Sequence, residues 1–93
     1  MSLSTAFHAV KDPSAILDYQ FNWSAWLGAD TIATSTWAVP TGITQVTESE
    51  TTTTTTIWLS GGTVDTNYVC VNTITTAGGR TDQRTLTIRC REK

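Results

Sequence analysis

Charge is scarce in this sequence: Asp, Glu, Lys and Arg make up 15% of 93 residues, against roughly 25% in an average globular domain. A nucleic-acid-binding domain usually carries a marked basic excess. A net charge of −2 and an isoelectric point near 5.0 point away from one. Histidine and cysteine are scarcer still, with one His and two Cys. A zinc site of three or four N/S ligands would need all of His8, Cys70 and Cys90, and no Cys-x-x-Cys spacing brings the thiols together. No metal or cofactor is expected. The same solitary His8, with no Gly-x-Ser-x-Gly elbow, leaves a Ser–His–acid nucleophile without its base. Glu48 and Glu50 lie on one face of an extended chain, about 7 Å apart, but their threonine surroundings offer no apolar wall to raise a carboxyl pKa. They read as solubilising charge, and no enzyme is expected. No apolar run approaches the ~18–20 residues of a membrane span, and no basic-then-apolar leader opens the chain.

Threonine takes the place of charge, at 21 of 93 residues. Its branched Cβ suits a pleated surface and crowds a helix. Leu17, Tyr19, Phe21 and Trp23 alternate with Asp18, Gln20 and Asn22, the period of a half-buried strand. Ala33, Ser35, Trp37 and Val39 share a face of a second strand, which Pro40 ends. Ile43–Thr47 is a shorter one. The threonine run 51–56 leads into Ile57, Trp58 and Leu59 and stops at Ser60-Gly61-Gly62. Tyr68–Thr76 and Thr85–Arg91 form a closing hairpin around Ala77-Gly78-Gly79-Arg80. Residues 1–9 show no period and read as a flexible start, with the domain over 10–93.

Pairing centred on Arg80 sets Ile74 against Leu86, Asn72 against Ile88 and Cys70 against Cys90, and every inward residue then meets another. The two thiols would be neighbours, either bridged or buried as small apolar groups; strain in directly opposed cysteines favours the second. Six or seven short strands with Gly/Pro/Asp turns indicate a sandwich of two antiparallel sheets. Tyr68, two residues before Cys70, has the placement of an immunoglobulin tyrosine corner. The fold expected is therefore an all-β, Ig-like or fibronectin type III-like sandwich of about seven strands.

Trp23 and Trp37 fall at inward positions. Trp58 has the opposite parity to Ile57 and Leu59, which makes it the leading exposed anchor for a protein interface, with Trp26 beside it as a candidate. Residues 80–93 hold Arg80, Arg84, Arg89, Arg91 and Lys93 against Asp82 and Glu92, a net +3, while the remainder of the chain is net −5. A basic edge for an acidic partner follows, with Arg80, Asp82, Arg84, Arg89 and Arg91 as its residues. Arg80 has a second reading, an ion pair with Asp82 across its own turn.

Several strings resemble the phage fibre–tail adaptor family, small Ig-like proteins of tailed bacteriophages and prophages. They are Lys11-Asp12-Pro13, Leu17-Asp18-Tyr19, Trp23-Ser24-Ala25-Trp26-Leu27 and Asp30-Thr31-Ile32 leading to Trp37. Trp58-Leu59-Ser60-Gly61-Gly62-Thr63, Ile74-Thr75-Thr76 and Gly79-Arg80-Thr81-Asp82 follow, then Arg84, Leu86 and Ile88. The resemblance spans roughly residues 9–91, departing at Asn22, where an aspartate is expected, and at Cys70 and Cys90. It implies a non-enzymatic virion component, assembled in the bacterial host cytoplasm, which joins tail, fibre or neck proteins and is repeated in the particle, with no nucleic acid or membrane as partner. The rival reading is a glycan- or host-surface-binding module using Trp26 and Trp58.

Overall fold

The computed structural model describes residues 5–91. These form seven strands, β1 (Thr5–Lys11), β2 (Leu17–Asn22), β3 (Ile32–Ala38), β4 (Ile43–Glu50), β5 (Thr54–Gly61), β6 (Asn67–Thr76) and β7 (Thr81–Cys90). A single helical turn, α1 (Ser24–Leu27), follows β2. One sheet has the order β1-β7-β6-β3 and the other β2-β5-β4. All pairs are antiparallel except β1 with β7. This is an Ig-like all-β sandwich in which the first strand has left its sequence neighbour to lie along the last.

That first strand corrects the reading of residues 1–9 as a flexible start. Thr5–Ala9 belong to β1, which runs from Thr5 opposite Arg84 to Lys11 opposite Cys90; residues 1–4 lie outside the described residues. Parallel pairing explains why the strand is hard to see in the sequence. It needs no adjacent hairpin turn, and apolar side chains occupy both of its faces, so no period of two stands out. Lys11 ends the strand wholly buried. Its Nζ donates to the carbonyls of Asp12 (2.9 Å) and Gly61 (2.7 Å), tying β1 to the opposite sheet.

The closing hairpin keeps its faces but not its centre. Cys70 lies opposite Leu86, Asn72 opposite Arg84 and Ile74 opposite Asp82, so the turn centres on Gly78. Gly79 supplies a left-handed φ of 90° there, and the Asp30 carboxylate accepts the Gly78 amide at 3.0 Å. An even-numbered slide leaves every side chain on its own face. Tyr68, Cys70, Ile74, Leu86, Ile88 and Cys90 all remain buried. The thiols, however, are not opposed. Cys90 lies four residues, roughly 13 Å, beyond the partner of Cys70, out of reach of a disulfide. Both are free and buried, and burial pushes the Cys70 thiol up to about 11.

The tyrosine corner is present. Tyr68 Oη accepts the Thr63 amide at 2.9 Å. Its ring packs where a side chain at Gly42 would clash, and a Cβ at Gly62 would meet Cys90 Sγ. Both glycines also hold φ of +103°, so the corner needs them on two counts.

At the centre, the two sheets are bonded to each other by side chains. Trp23, with no exposed surface, shares its indole N–H between Thr55 Oγ1 and Asn72 Oδ1, each at 3.2 Å. Thr55 donates to the same Asn72 oxygen at 2.7 Å. Asn72 Nδ2 donates to Ser35 Oγ (2.9 Å) and to the Thr36 carbonyl (3.0 Å). The Asn72 amide is thus fully satisfied inside an apolar core.

Two outcomes are expected. Asn72→Leu, close in volume, takes the acceptor from the buried Thr55 hydroxyl and one of two acceptors from the Trp23 indole, and should cost about 3 kcal/mol in urea unfolding with an unchanged m-value. Neither thiol should react with a thiol reagent in the native protein, and both should react once it is denatured.

Candidate functional site

The residues singled out in the sequence do not converge on one spot. Trp26, Arg80, Asp82 and Arg84 gather at the β6–β7 turn end of the sandwich. Arg89 and Arg91 lie at the far end of β7, and Trp58 lies on the outer face of the smaller sheet.

At the turn end, α1 carries Trp26 to meet Trp23 edge-on, ring centroids 5.5 Å apart. Arg80 stacks on Trp26 at 4.3 Å. It donates through Nη2 to the Leu27 carbonyl (2.9 Å) and through Nε to Asp30 Oδ2 (3.1 Å). Arg80 thus forms an ion pair with Asp30, its guanidinium lying over α1. Arg84 stacks on Trp23 at 3.9 Å, lies 5.9 Å from the Phe7 ring, and donates to the Asn22 carbonyl at 2.8 Å. Burial pulls its pKa down, and Asp82 pulls it back up. Asp82 also accepts the Gln83 amide at 2.8 Å. Two arginines that read as a basic docking edge thus spend their planes on tryptophan and donors on carbonyls, the contacts that suit guanidinium.

Asp30 anchors this end. Its carboxyl is held down at about 2, first by the Thr76 hydroxyl and then by the amides of Thr31 and Gly78 and the Arg80 guanidinium. Nothing in the sequence pairs Asp30 with residues 76–80; the contact spans 50 positions.

Trp58 is a different case. β5 buries Thr55, Ile57 and Leu59 and turns Trp58 outward, 39% exposed. In the sheet it lies between Asp18 of β2 and Thr47 of β4. A bulge between Gln45 and Thr47 inserts Val46 in the strand alongside, also exposed. The surrounding ladder is threonine, serine and glutamine, so an aromatic ring stands on a flat polar sheet.

Arg89 and Arg91 face outward from β7. Arg89 Nη1 donates to Asn67 at 3.2 Å, and Nη2 lies 3.8 Å from Asp65. Its Nε is buried with no acceptor. Arg89 lines a shallow depression of about 370 Å³ with His8, Ala9, Val10, Asn67 and Thr87. Among the described residues, no group of three or more His, Cys, Asp or Glu lies together to hold a metal ion.

Sequence reasoning missed β1, and with it the exposed Val10 in this depression and the part-exposed Phe7 on the strand's other face. It also missed Asp30 and Asn72.

The family described as podophage GP4 fibre–tail adaptor protein gp77 matches residues 11–89. The chain belongs to that family. A fibre–tail adaptor is a component of the virion tail, and the Ig-like sandwich is the scaffold on which this one is built. No curated protein matches the chain.

The adaptor's turn end should respond to acid in a defined window. The folded pKa of Asp30 is below its unfolded value, so its contribution is present above about pH 4 and disappears as pH falls towards 2. The Gly78 and Thr31 amide resonances should titrate with a midpoint near 2, and Asp30→Asn should abolish that titration.

Proposed function

We infer that this adaptor is a non-enzymatic virion protein that joins tail and fibre proteins through direct protein–protein contacts, with several copies placed symmetrically in the particle. The observation that carries the reading is Trp58. Its neighbours in the strand, Ile57 and Leu59, are wholly buried. The core is therefore filled without it, and the ring lies on the outer face of the middle strand of its sheet, 39% exposed among the described residues. Large aromatic side chains on such faces dominate the energy of protein interfaces, and a flat ladder of hydroxyls around the ring forms a polar rim.

A glycan-binding module is the second reading, favoured by Asp18 and Thr47 on either side of the ring, where they offer an acceptor and a hydroxyl to sugar hydroxyl groups.

The two readings separate in one experiment. Trp58→Ala is compared with the unaltered adaptor, each co-expressed with the tail and fibre proteins encoded beside it and analysed by size exclusion with light scattering. The adaptor reading expects a complex that Trp58→Ala weakens by about 30-fold or more, with an unchanged circular dichroism spectrum. A chain that remains monomeric beside every neighbour, and whose tryptophan fluorescence changes on glycan titration, would establish the second reading and defeat the first.

A further inference from the structure

A protein that joins two others needs a surface besides the Trp58 face, and the sheet edges single one out. The two sheets have four edges, β1, β3, β2 and β4. Natural sandwiches protect edges with bulges, inward-pointing charges or short charged strands, because an open edge accepts further strands. Three of these edges carry such features within the strand. β4 has the bulge between Gln45 and Thr47, and its Glu48 and Glu50 stand opposite the buried Ile57 and Thr55. β3 is interrupted between Ile32 and Thr34. β2 is the shortest strand at six residues and carries Asp18. β1 carries such a feature only at its last residue, the inward and buried Lys11; the six residues before it have no bulge and no formal charge. The strand pairs with β7 in unbroken register over seven residues, contains no proline, and exposes Phe7 and Val10.

The chemistry beside β1 is one-sided. Outward-facing Val10 lies opposite Arg89, and Arg89 opposite Asn67; His8 lies opposite Thr87. These residues line the depression next to the strand. Among the described residues, the Arg89 guanidinium has an Nε with no acceptor and a long ion pair, 3.8 Å, to an Asp65 that is itself 77% exposed. Arg91 follows, also exposed. No acidic residue occurs in β1. A carboxylate beside Arg89 would meet a cation that the fold leaves poorly paired.

We propose that the free edge of β1 is a second docking site, which takes an extended segment of a partner protein as an added strand, with a carboxylate side chain of that segment in the depression against Arg89. Main-chain bonds along β1 supply affinity, Phe7 and Val10 supply apolar contact on the two faces of the strand, and Arg89 sets which strand is accepted. The proposal rests on the adaptor reading for the need of a second surface, but its test reads β1 and Arg89 and not the Trp58 face.

The probe is a capped octapeptide alternating valine with glutamate, added to ¹⁵N-labelled adaptor, with the valine–lysine peptide as comparison. The glutamate peptide should shift the amides of residues 7–11 and the Arg89 Nε resonance. The lysine peptide should bind about tenfold more weakly, and Arg89→Gln should weaken the glutamate peptide by about tenfold while the spectrum stays that of the folded protein. Trp58→Ala should leave these shifts unchanged, so a failed assembly experiment and a failed peptide experiment are distinguishable. The proposal is overturned by any of three results. The two peptides bind equally; no shift appears at millimolar peptide; or the β1 amides move with protein concentration alone, which would give the edge to a second copy of this chain.

Discussion

The indole N–H of Trp23, held by Asn72 and Thr55, is the bond on which the rest of the molecule depends. Many immunoglobulin domains cross-link their sheets with a disulfide; here both cysteines belong to one sheet, and a polar network joins the two sheets. It connects the end of β2 to β5 in one sheet and to β6 and β3 in the other. In a low-dielectric interior such a network is strong when complete and costly when any member is lost, so it also fixes how the sheets face each other. The same ring has a second task. Its exposed side of the core is closed by Arg84, and its edge receives Trp26, which in turn carries Arg80 and Asp30. The order of the whole turn end is built outward from one buried tryptophan.

That chain of contacts explains which features were legible in the sequence. Alternation is local, so β2, β5 and the faces of the closing hairpin could be read directly, and so could the outward Trp58, which breaks parity with Ile57 and Leu59. The tyrosine corner was legible because its hydrogen bond closes over five residues. The hairpin's centre was not, because the residue that fixes it, Asp30, is remote and carries no pattern. Arginines 80 and 84 looked like surface charge for a similar reason, since a guanidinium stacked on a tryptophan about 60 positions away has the same local sequence as one in water. Lys11 and Asn72 are polar residues at inward positions, and only their distant carbonyl and hydroxyl partners make those positions tolerable. β1 was invisible because a parallel edge strand announces itself neither by a turn nor by a clean period.

The outcome changes where recognition is to be sought. The turn end concentrates the arginines and aromatic rings that an interface usually favours, yet its cations are stacked and bonded within the fold. Exposed apolar side chains lie instead on the open sheet surfaces, at Trp58 and Val46 in one sheet and at Val10 and Val69 in the other, with Phe7 at the rim of the core against Phe21. They are single residues set among threonines rather than a continuous patch. Small, separated apolar groups of this kind are usual on the surface of a folded domain, and Trp58 is the largest of them.

Rigidity then becomes part of the function. A joint between two proteins transmits position only if its two surfaces keep a fixed relation, and these surfaces belong to different sheets. Apolar contact alone allows packed sheets to slide, whereas directional bonds from Asn72 to both Trp23 and Thr36 permit one arrangement. The buried amide and the exposed tryptophan are therefore complementary investments. The first gives the sandwich a single shape, and under the proposed function the second would use a face of that shape to hold a partner at a defined angle to a strand added at β1.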